Sequence, residues 1–417
     1  MFRLLDNTRI SRYTLLYLLI IIIYTANASQ FVRLYGDIHR FSEGSIFLLI
    51  TTIIFIRRNH VVFPKHFLKI VGIFLIYAAI TTINNRVINL IWIYKWILGL
   101  VIAFSLCQVY GKKIFVAYET ILYRLCQISL VLWLALLFFK GPFISIMSQL
   151  SLTPFSTEKE TLNILIYSVN NFDDSSYALL KRNAGFAWEP GAYSCFVILA
   201  LFCNMLRTNF TFKKNRPLLT FILSILSTQS TTGFFMLIFL FAGWLIAQKK
   251  VAVAWVIIPL LGLLFSFPFV QDKFYDHIDS NQEFEFSDLS IRDNNDVNRL
   301  IAFQISWEEF KRHPLIGLGG YDDGTYLRQK GYEVVISSGI GKILAMYGLI
   351  MTFLFLYTLR NTTKIIEEQF QTRNAYLLYI PIIGMMFSYN LWLLPFYITF
   401  WMYGFLISKM QEINEKS

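Results

Sequence analysis

Two short stretches carry side chains suited to holding a phosphorylated group. The first is Arg182-Asn183-Ala184-Gly185-Phe186-Ala187-Trp188-Glu189-Pro190-Gly191. Arginine presents a planar fork that contacts phosphate oxygens in bidentate fashion. Proline suits the first turn of a helix, and the residue before it is driven to an extended conformation. A helix therefore starts at Pro190 with Glu189 at its mouth. The helix dipole alone would favour an acid there, but it does not account for Arg182. The second stretch runs from Asp296 through Arg299 and Trp307 to His313-Pro314. Leu300, Phe303, Trp307 and Phe310 recur at helical spacing and predict an amphipathic helix over about 297–313. Asp296 is its expected N-cap, and Pro314, Gly317 and Gly319 end it. Arg299 then sits in the first turn, where a phosphate would meet both the guanidinium and free backbone N–H groups. Pairing with Asp293 or Asp296 is the alternative. His313 reads as a helix C-terminal residue.

Weaker candidates lie inside apolar runs. Lys95 and Arg124 are further candidate ligands for an anionic lipid head group, since ionisable residues at membrane depth are functional or paired. Neutralisation by Glu119, with snorkelling, is the structural alternative. Asp322-Asp323-Gly324 reads as a turn. No His, Cys and carboxylate group has metal-ligand spacing, so neither a metal nor another cofactor is expected. Cys107, Cys126, Cys195 and Cys203 lie in or beside apolar runs and form no CxxC pair.

These residues are embedded in a chain that cannot fold in water. Of 417 residues, 56% are hydrophobic and only 15% charged. Runs such as 13–28, 67–83, 87–110, 114–139 and 251–269 are long enough to cross a bilayer as helices. The expected fold is an all-α polytopic membrane protein, a single integral-membrane domain over 1–417 with about 12 transmembrane helices. Spans are expected at 13–29, 45–56, 67–83, 87–110, 114–139, 190–206, 217–228, 231–247, 251–269, 338–359, 376–388 and 393–408. The first is expected to be retained, although Ala26-Asn27-Ala28 resembles a signal-peptide cleavage site. A break is expected in the last apolar stretch at Asn390 and Pro395.

The net charge of +11 does not indicate nucleic acid, because the cations sit in clusters between spans. Arg57-Arg58, Lys112-Lys113, Lys213-Lys214 and Lys249-Lys250 all fall on one side. The positive-inside rule makes that side cytoplasmic, with both termini. The long polar stretches 140–185 and 270–337 are then external loops, and the second is rich in acids.

At these residues the chain resembles the Wzy-type O-antigen and polysaccharide polymerases, whose superfamily also holds the O-antigen ligases. The segment from Arg182 to Pro190 is similar to the family's Arg-x-x-Gly-Phe/Leu-x-x-Glu-Pro pattern. Leu226-Ser227-Thr228-Gln229-Ser230-Thr231-Thr232-Gly233 resembles its Ser-x-Ser-Thr-x-Gly break between two spans. Arg299 through Trp307 to His313-Pro314-Leu315-Ile316-Gly317-Leu318-Gly319 resembles its Arg…Trp…Pro-Leu-x-Gly-x-Gly segment. One departure stands out. Ligases and many polymerases carry a His-Asn pair about eleven residues before a Gly of the next span. Here that Gly is Gly348 and the pair is Ser337-Ser338.

The resemblance implies glycosyl transfer on the outer face of a bacterial plasma (inner) membrane. The donor would be an oligosaccharide on undecaprenyl pyrophosphate and the acceptor another lipid-linked repeat unit. The product would be a surface polysaccharide: O-antigen, capsule or exopolysaccharide. Arg182 and Arg299 would bind the pyrophosphate without a metal. Glu189 is the first candidate for the acceptor's base and His313 the second. Expected partners are the lipid-linked oligosaccharides, the bilayer, a chain-length regulator and a flippase. Two other readings stay open: a transporter or flippase of lipid-linked sugars, and an O-antigen ligase, which Ser337-Ser338 disfavours.

Overall fold

The computed structural model describes residues 11–35, 37–86, 88–151, 161–170, 181–211, 215–249, 299–320, 325–326, 338–389 and 391–407. The expected span 251–269, His277, Asp296, Asp322-Asp323-Gly324, Ser337, Asn390, both chain ends and much of the two long loops lie outside the described residues. The chain is a polytopic all-α membrane protein. Among the described residues, five helices are long and apolar enough to cross a bilayer: Lys65–Asn85, Leu90–Tyr110, Lys113–Phe138, Pro190–Arg207 and Gly339–Phe370. Shorter apolar helices cover Arg12–Ala26, Arg216–Ser227, Thr231–Ala247 and Ala375–Ser388. The last apolar stretch is interrupted as expected, one helix ending at Ser388 and the next starting at Pro395.

The chain divides into two compact units. The first comprises 1–61, 105–269 and 366–381. Its central helix is Pro190–Arg207, 94% of which is buried. Lys113–Phe138, Arg216–Ser227 and Thr231–Ala247 pack around it. Such a helix is solvated by protein rather than lipid, which is why Ser194 and Asn204 are tolerated at full burial. Asn204 Nδ2 donates to Glu119 Oε1 at 2.7 Å, and Arg207 Nε donates to Glu119 Oε2 at 2.6 Å.

The loop expected over 140–185 is partly folded. Helix Lys140–Leu150 is followed by a two-stranded antiparallel hairpin, Thr161–Asn163 with Ser168–Asn170. Leu136, Met147, Leu162, Tyr167 and Val169 bury one another and form a small core of their own. This anchors the hairpin to the end of the Lys113–Phe138 helix.

The second unit comprises 62–104, 270–365 and 382–417. Its aromatic centre is a chain of ring contacts from Phe74 through Trp92, Trp96 and Tyr347 to Trp392 and Trp401. The expected span 338–359 is replaced by a longer helix, Gly339–Phe370, interrupted at Gly348 (φ 65°, ψ −170°). That backbone conformation is open to glycine and strained for any L side chain. The interruption leaves helical N–H and C=O groups without their intrahelical partners, and the turn 314–320 supplies replacements. Leu349 N donates to Pro314 O at 2.9 Å, and Gly320 N donates to Met346 O at 3.3 Å.

Candidate active site

Around Arg182, the structure joins two segments that stand more than forty residues apart in sequence. Arg182 is half-buried, and its Nε donates to the Thr228 carbonyl at 3.0 Å. The neighbouring Asn183 is fully buried and makes the stronger join. Its backbone N donates to Ser227 O at 3.0 Å and its Nδ2 to Ser227 Oγ at 2.9 Å. Its Oδ1 accepts from Ser129 Oγ at 2.8 Å and from Gly185 N at 2.9 Å. Trp133 Nε1 donates to Lys181 O at 2.7 Å, and Ser168 N donates to Gly185 O at 2.6 Å. The folded part of the first loop thus braces the Arg182 segment from the other side.

Gly185 is required here. Its φ is +53°, and a Cβ would run into the ring of Tyr193 one turn into the next helix.

The join falls on the break between helices Arg216–Ser227 and Thr231–Ala247. Thr228 caps the first helix, Gln229 takes φ +46°, and Ser230 N-caps the second by accepting from Gly233 N at 3.3 Å. A break inside apolar surroundings exposes backbone polar groups that something must satisfy. Arg182 and Asn183 satisfy two of them. Sequence reading singled out Arg182 and passed over Asn183. Its distant partners, Ser129 and Ser227, come from two other segments and leave no local signature.

Glu189 stands where Glu-Pro predicts, extended at φ −153° and ψ 158°, immediately before the Pro190–Arg207 helix. It is half-buried, and its side chain makes no capping hydrogen bond to the helix. A capping role therefore does not account for this carboxylate.

In the second unit, Arg299 opens the helix Arg299–Arg312; its side chain lies outside the described residues. The helix exists as expected, and Phe310 of the predicted stripe is buried. Trp307 is 44% exposed, whereas Ala302, Ile305, Ser306 and Glu309 are buried. The reason is close packing: Ser306 lies against Gly341, at the start of the following helix, where a Cβ would clash. A small side chain such as Ser306 fits that contact. The buried Glu309 accepts from Tyr326 N at 2.7 Å.

His313 follows the helix, half-buried, and its carbonyl accepts from Gly317 N at 3.0 Å. Burial, and then the neighbouring Arg312, hold its imidazole below the ordinary pKa of 6.5. Arg299 and His313 stand at opposite ends of this one helix. A rise of ~1.5 Å per residue separates their Cα atoms by roughly 20 Å.

Lys95 and Arg124 are both exposed on their helices. Arg124 Nη1 donates to Gln127 Oε1 at 3.1 Å. Glu119, offered from sequence as their neutralising partner, instead takes Arg207 and Asn204. Ser338, at the position of the ligase-type pair, N-caps the helix Gly339–Phe370 by accepting from Gly341 N at 3.2 Å. Among the described residues, no group of three or more His, Cys, Asp or Glu side chains could hold a metal.

Residues 217–356 match the family model described as O-antigen ligase. That match covers about a third of the chain, over which the chain is similar to that family. The match agrees with the ligase/polymerase superfamily that the motifs resemble, and implies activity of that type. The segment takes in the 228–230 break, the Arg299–Arg312 helix, His313 and Gly348. Arg182 lies ahead of the segment and is tied to it through Thr228. No curated protein and no solved structure matches the chain.

Proposed function

We propose that this protein polymerises undecaprenyl-pyrophosphate-linked oligosaccharide repeat units on the outer face of the bacterial inner membrane. The observation that carries the reading is the hydrogen bond from Arg182 to Thr228, which ties a phosphate-competent arginine to the helix break of the family segment. In this reaction the acceptor hydroxyl attacks the anomeric carbon of the donor glycan. The glycosidic bond forms as the bond from that carbon to the pyrophosphate oxygen breaks. Lipid pyrophosphate leaves with the electron pair, and the acceptor's proton passes to a base.

The leaving group carries its own phosphates, so the protein's main tasks are placement and charge neutralisation. Arg182 and Arg299 are each a candidate to neutralise the leaving pyrophosphate. Lys95 and Arg124 are secondary candidates for the lipid head group. Glu189 is assigned as the base, being a carboxylate at a helix mouth that the helix does not use as a cap. His313 is the alternative base. Since it sits roughly 20 Å along the helix from Arg299, one reacting centre cannot use both through short contacts. A chain-length regulator and a flippase are the proposed protein partners.

Ligase activity is the second reading, favoured by the description of the matched family. Against it stands Ser338, whose hydroxyl is engaged as a helix cap and offers no base. The test is reconstitution. Purified protein in liposomes should convert a lipid-pyrophosphate-linked repeat unit into a ladder of whole repeats. It should release lipid pyrophosphate, need no nucleotide sugar and tolerate excess chelator. Transfer only to a lipid A-core acceptor would make it a ligase. Movement of unchanged substrate across the membrane would make it a transporter.

A further inference from the structure

Helix Lys140–Leu150 follows the span Lys113–Phe138 and presents three different faces. The chain turns between the two at Phe139, whose φ of −129° and ψ of 45° leave the helical region. Phe143, Ile144 and Met147 face the core of the hairpin Thr161–Asn163 and Ser168–Asn170. Pro142, Ile146 and Leu150 recur at i+4 spacing on a second face, and all three are exposed. Ser145 and Gln149 share a third face, exposed and polar. A surface helix of a water-soluble domain carries one apolar face, and here the hairpin takes it. The second apolar face, 57% exposed at Ile146 and 59% at Leu150, calls for another apolar partner.

That face follows directly on the lipid-facing surface of the span. Val131, Leu134 and Phe138 are exposed along the span, and Phe139 is exposed at the turn. Depth agrees. Leu132 and Trp133 pack against the hairpin core. At ~1.5 Å per residue, Leu132 stands roughly 9 Å before Phe138 along the helix. The hairpin core therefore lies beside the last turns of the span and not beyond its end. Charge agrees as well. From Phe138 to Ser151 the one charged residue is Lys140, exposed at the turn, and 161–170 holds none. A lysine there lays its stem along apolar surface and its ammonium among anionic head groups. The turn of the hairpin, Ile164-Leu165-Ile166, is also apolar, although Leu165 takes a φ of +68° that turns in water give to Gly or Asn.

We infer that helix Lys140–Leu150 is an interfacial anchor. It lies along the phospholipid surface at the Phe138 end of the span, with Ile146 and Leu150 in the acyl boundary and Ser145 and Gln149 toward water. The anchor reaches the candidate site. Trp133 Nε1 donates to Lys181 O, and Ser168 N of the hairpin donates to Gly185 O. Arg182 is thereby held level with the last turns of the span, at the depth of lipid head groups, where the phosphates of a lipid-linked substrate lie. The anchor rests on the membrane fold alone; its use in catalysis rests on the proposed function.

The test uses full-length protein in nanodiscs of phosphatidylcholine and phosphatidylglycerol. Spin labels are attached in turn at Ile146→Cys, Leu150→Cys, Ser145→Cys and Gln149→Cys; the native cysteines are all buried. Power saturation compares collisions with molecular oxygen, which concentrates in lipid, and with a water-soluble nickel chelate. Oxygen should dominate at Ile146→Cys and Leu150→Cys, and the chelate at Ser145→Cys and Gln149→Cys. Chelate dominance at the apolar pair overturns the anchor. So does loss of both kinds of collision there with an immobilised spectrum, because protein, from this chain or a second copy, then covers the face.

Turnover is read separately with the lipid-linked substrate. Ile146→Glu with Leu150→Glu should lower it while the protein stays folded in the membrane, since a misplacement of about 1 Å can cost about 10²-fold. Ile146→Leu with Leu150→Ile should retain it. Unchanged turnover in the glutamate variant removes the link to Arg182. A wild type that makes no polymer, with oxygen dominant at Ile146→Cys and Leu150→Cys, keeps the anchor and removes the polymerase reading.

Discussion

Arg207 grips Glu119 with two parallel hydrogen bonds, Nε to Oε2 at 2.6 Å and Nη2 to Oε1 at 2.8 Å. The carboxylate is only 4% exposed and the guanidinium 28%. Asn204 completes the shell around the carboxylate and is itself paired with Asn215 in both directions. The group locks the end of the central helix to helix Lys113–Phe138 and to the start of Arg216–Ser227. Arg207→Ala would strand a buried charge. It should cost about 3 kcal/mol, the low end for a broken buried pair, because the guanidinium is partly solvated. Thermal unfolding in detergent measures it. Glu119→Leu with Arg207→Leu should lose less than Arg207→Ala alone, since no charge is then left unpaired.

Arg182→Ala and Arg299→Ala should each abolish long polymer while the protein still reaches the membrane. Removing one preorganised donor of this kind lowers the rate about 10²–10³-fold. Lysine at either position should restore only part, since the fork is lost. Chain-length distributions on gels, beside membrane-fraction blots, measure both effects. Normal chain length in both alanine variants would refute the phosphate role.

Gly348→Ala should unfold the junction it sits in. The new Cβ would meet the Leu315 carbonyl, and the φ of +65° is itself unfavourable for alanine. Backbone strain alone costs about 1–3 kcal/mol, and the overlap adds to it. A lower melting temperature, with loss of His313-turn protection in hydrogen exchange, is the expected outcome. An unchanged melting temperature would show that the helix can close over this position.

His313 gives a pH test with a definite sign. Its folded-state pKa lies below the ordinary 6.5, so the imidazole is mostly neutral at that pH. The associated contribution to stability is complete above 6.5 and lost as pH falls through the folded-state value. If His313 is the base, kcat/KM should fall through the same lower value, and His313→Gln should remove that limb along with most of the activity. If Glu189 is the base, His313→Gln should leave the limb in place, and Glu189→Gln should take the activity with it.

Fusions at Asn170 and Asn295 report on sidedness. Both should give external signals, because every basic cluster then lies inside. A cytoplasmic signal at either position would withdraw the site proposal as well.

Much of this protein is legible without coordinates, for reasons of solvation. Apolar runs report on the bilayer through local composition, and basic clusters carry the expected orientation in the same way. Pro190 marks the start of the central helix by its own covalent geometry, and Pro395 marks the restart after the last break. The motifs around Arg182 and Arg299–His313 could be singled out because their residue types are unusual between apolar spans, whereas Ser227–Gly233 entered only through the family resemblance.

Tertiary structure alone decided which of these segments touch. The bonds from Asn183 to Ser129 and Ser227 depend on two other segments arriving at one buried amide, and neither is marked in its own neighbourhood. Glu119 could have served Lys95 or Arg124 by depth; packing gave it to Arg207, 88 residues away. The face of the Arg299–Arg312 helix followed the same logic. Periodicity marked Leu300, Phe303, Trp307 and Phe310 as the apolar stripe, but it did not mark Ser306, which is buried against Gly341. Periodicity measures how strongly a face avoids water, whereas packing against a neighbouring backbone depends on shape, and shape exists only once the neighbour is in place.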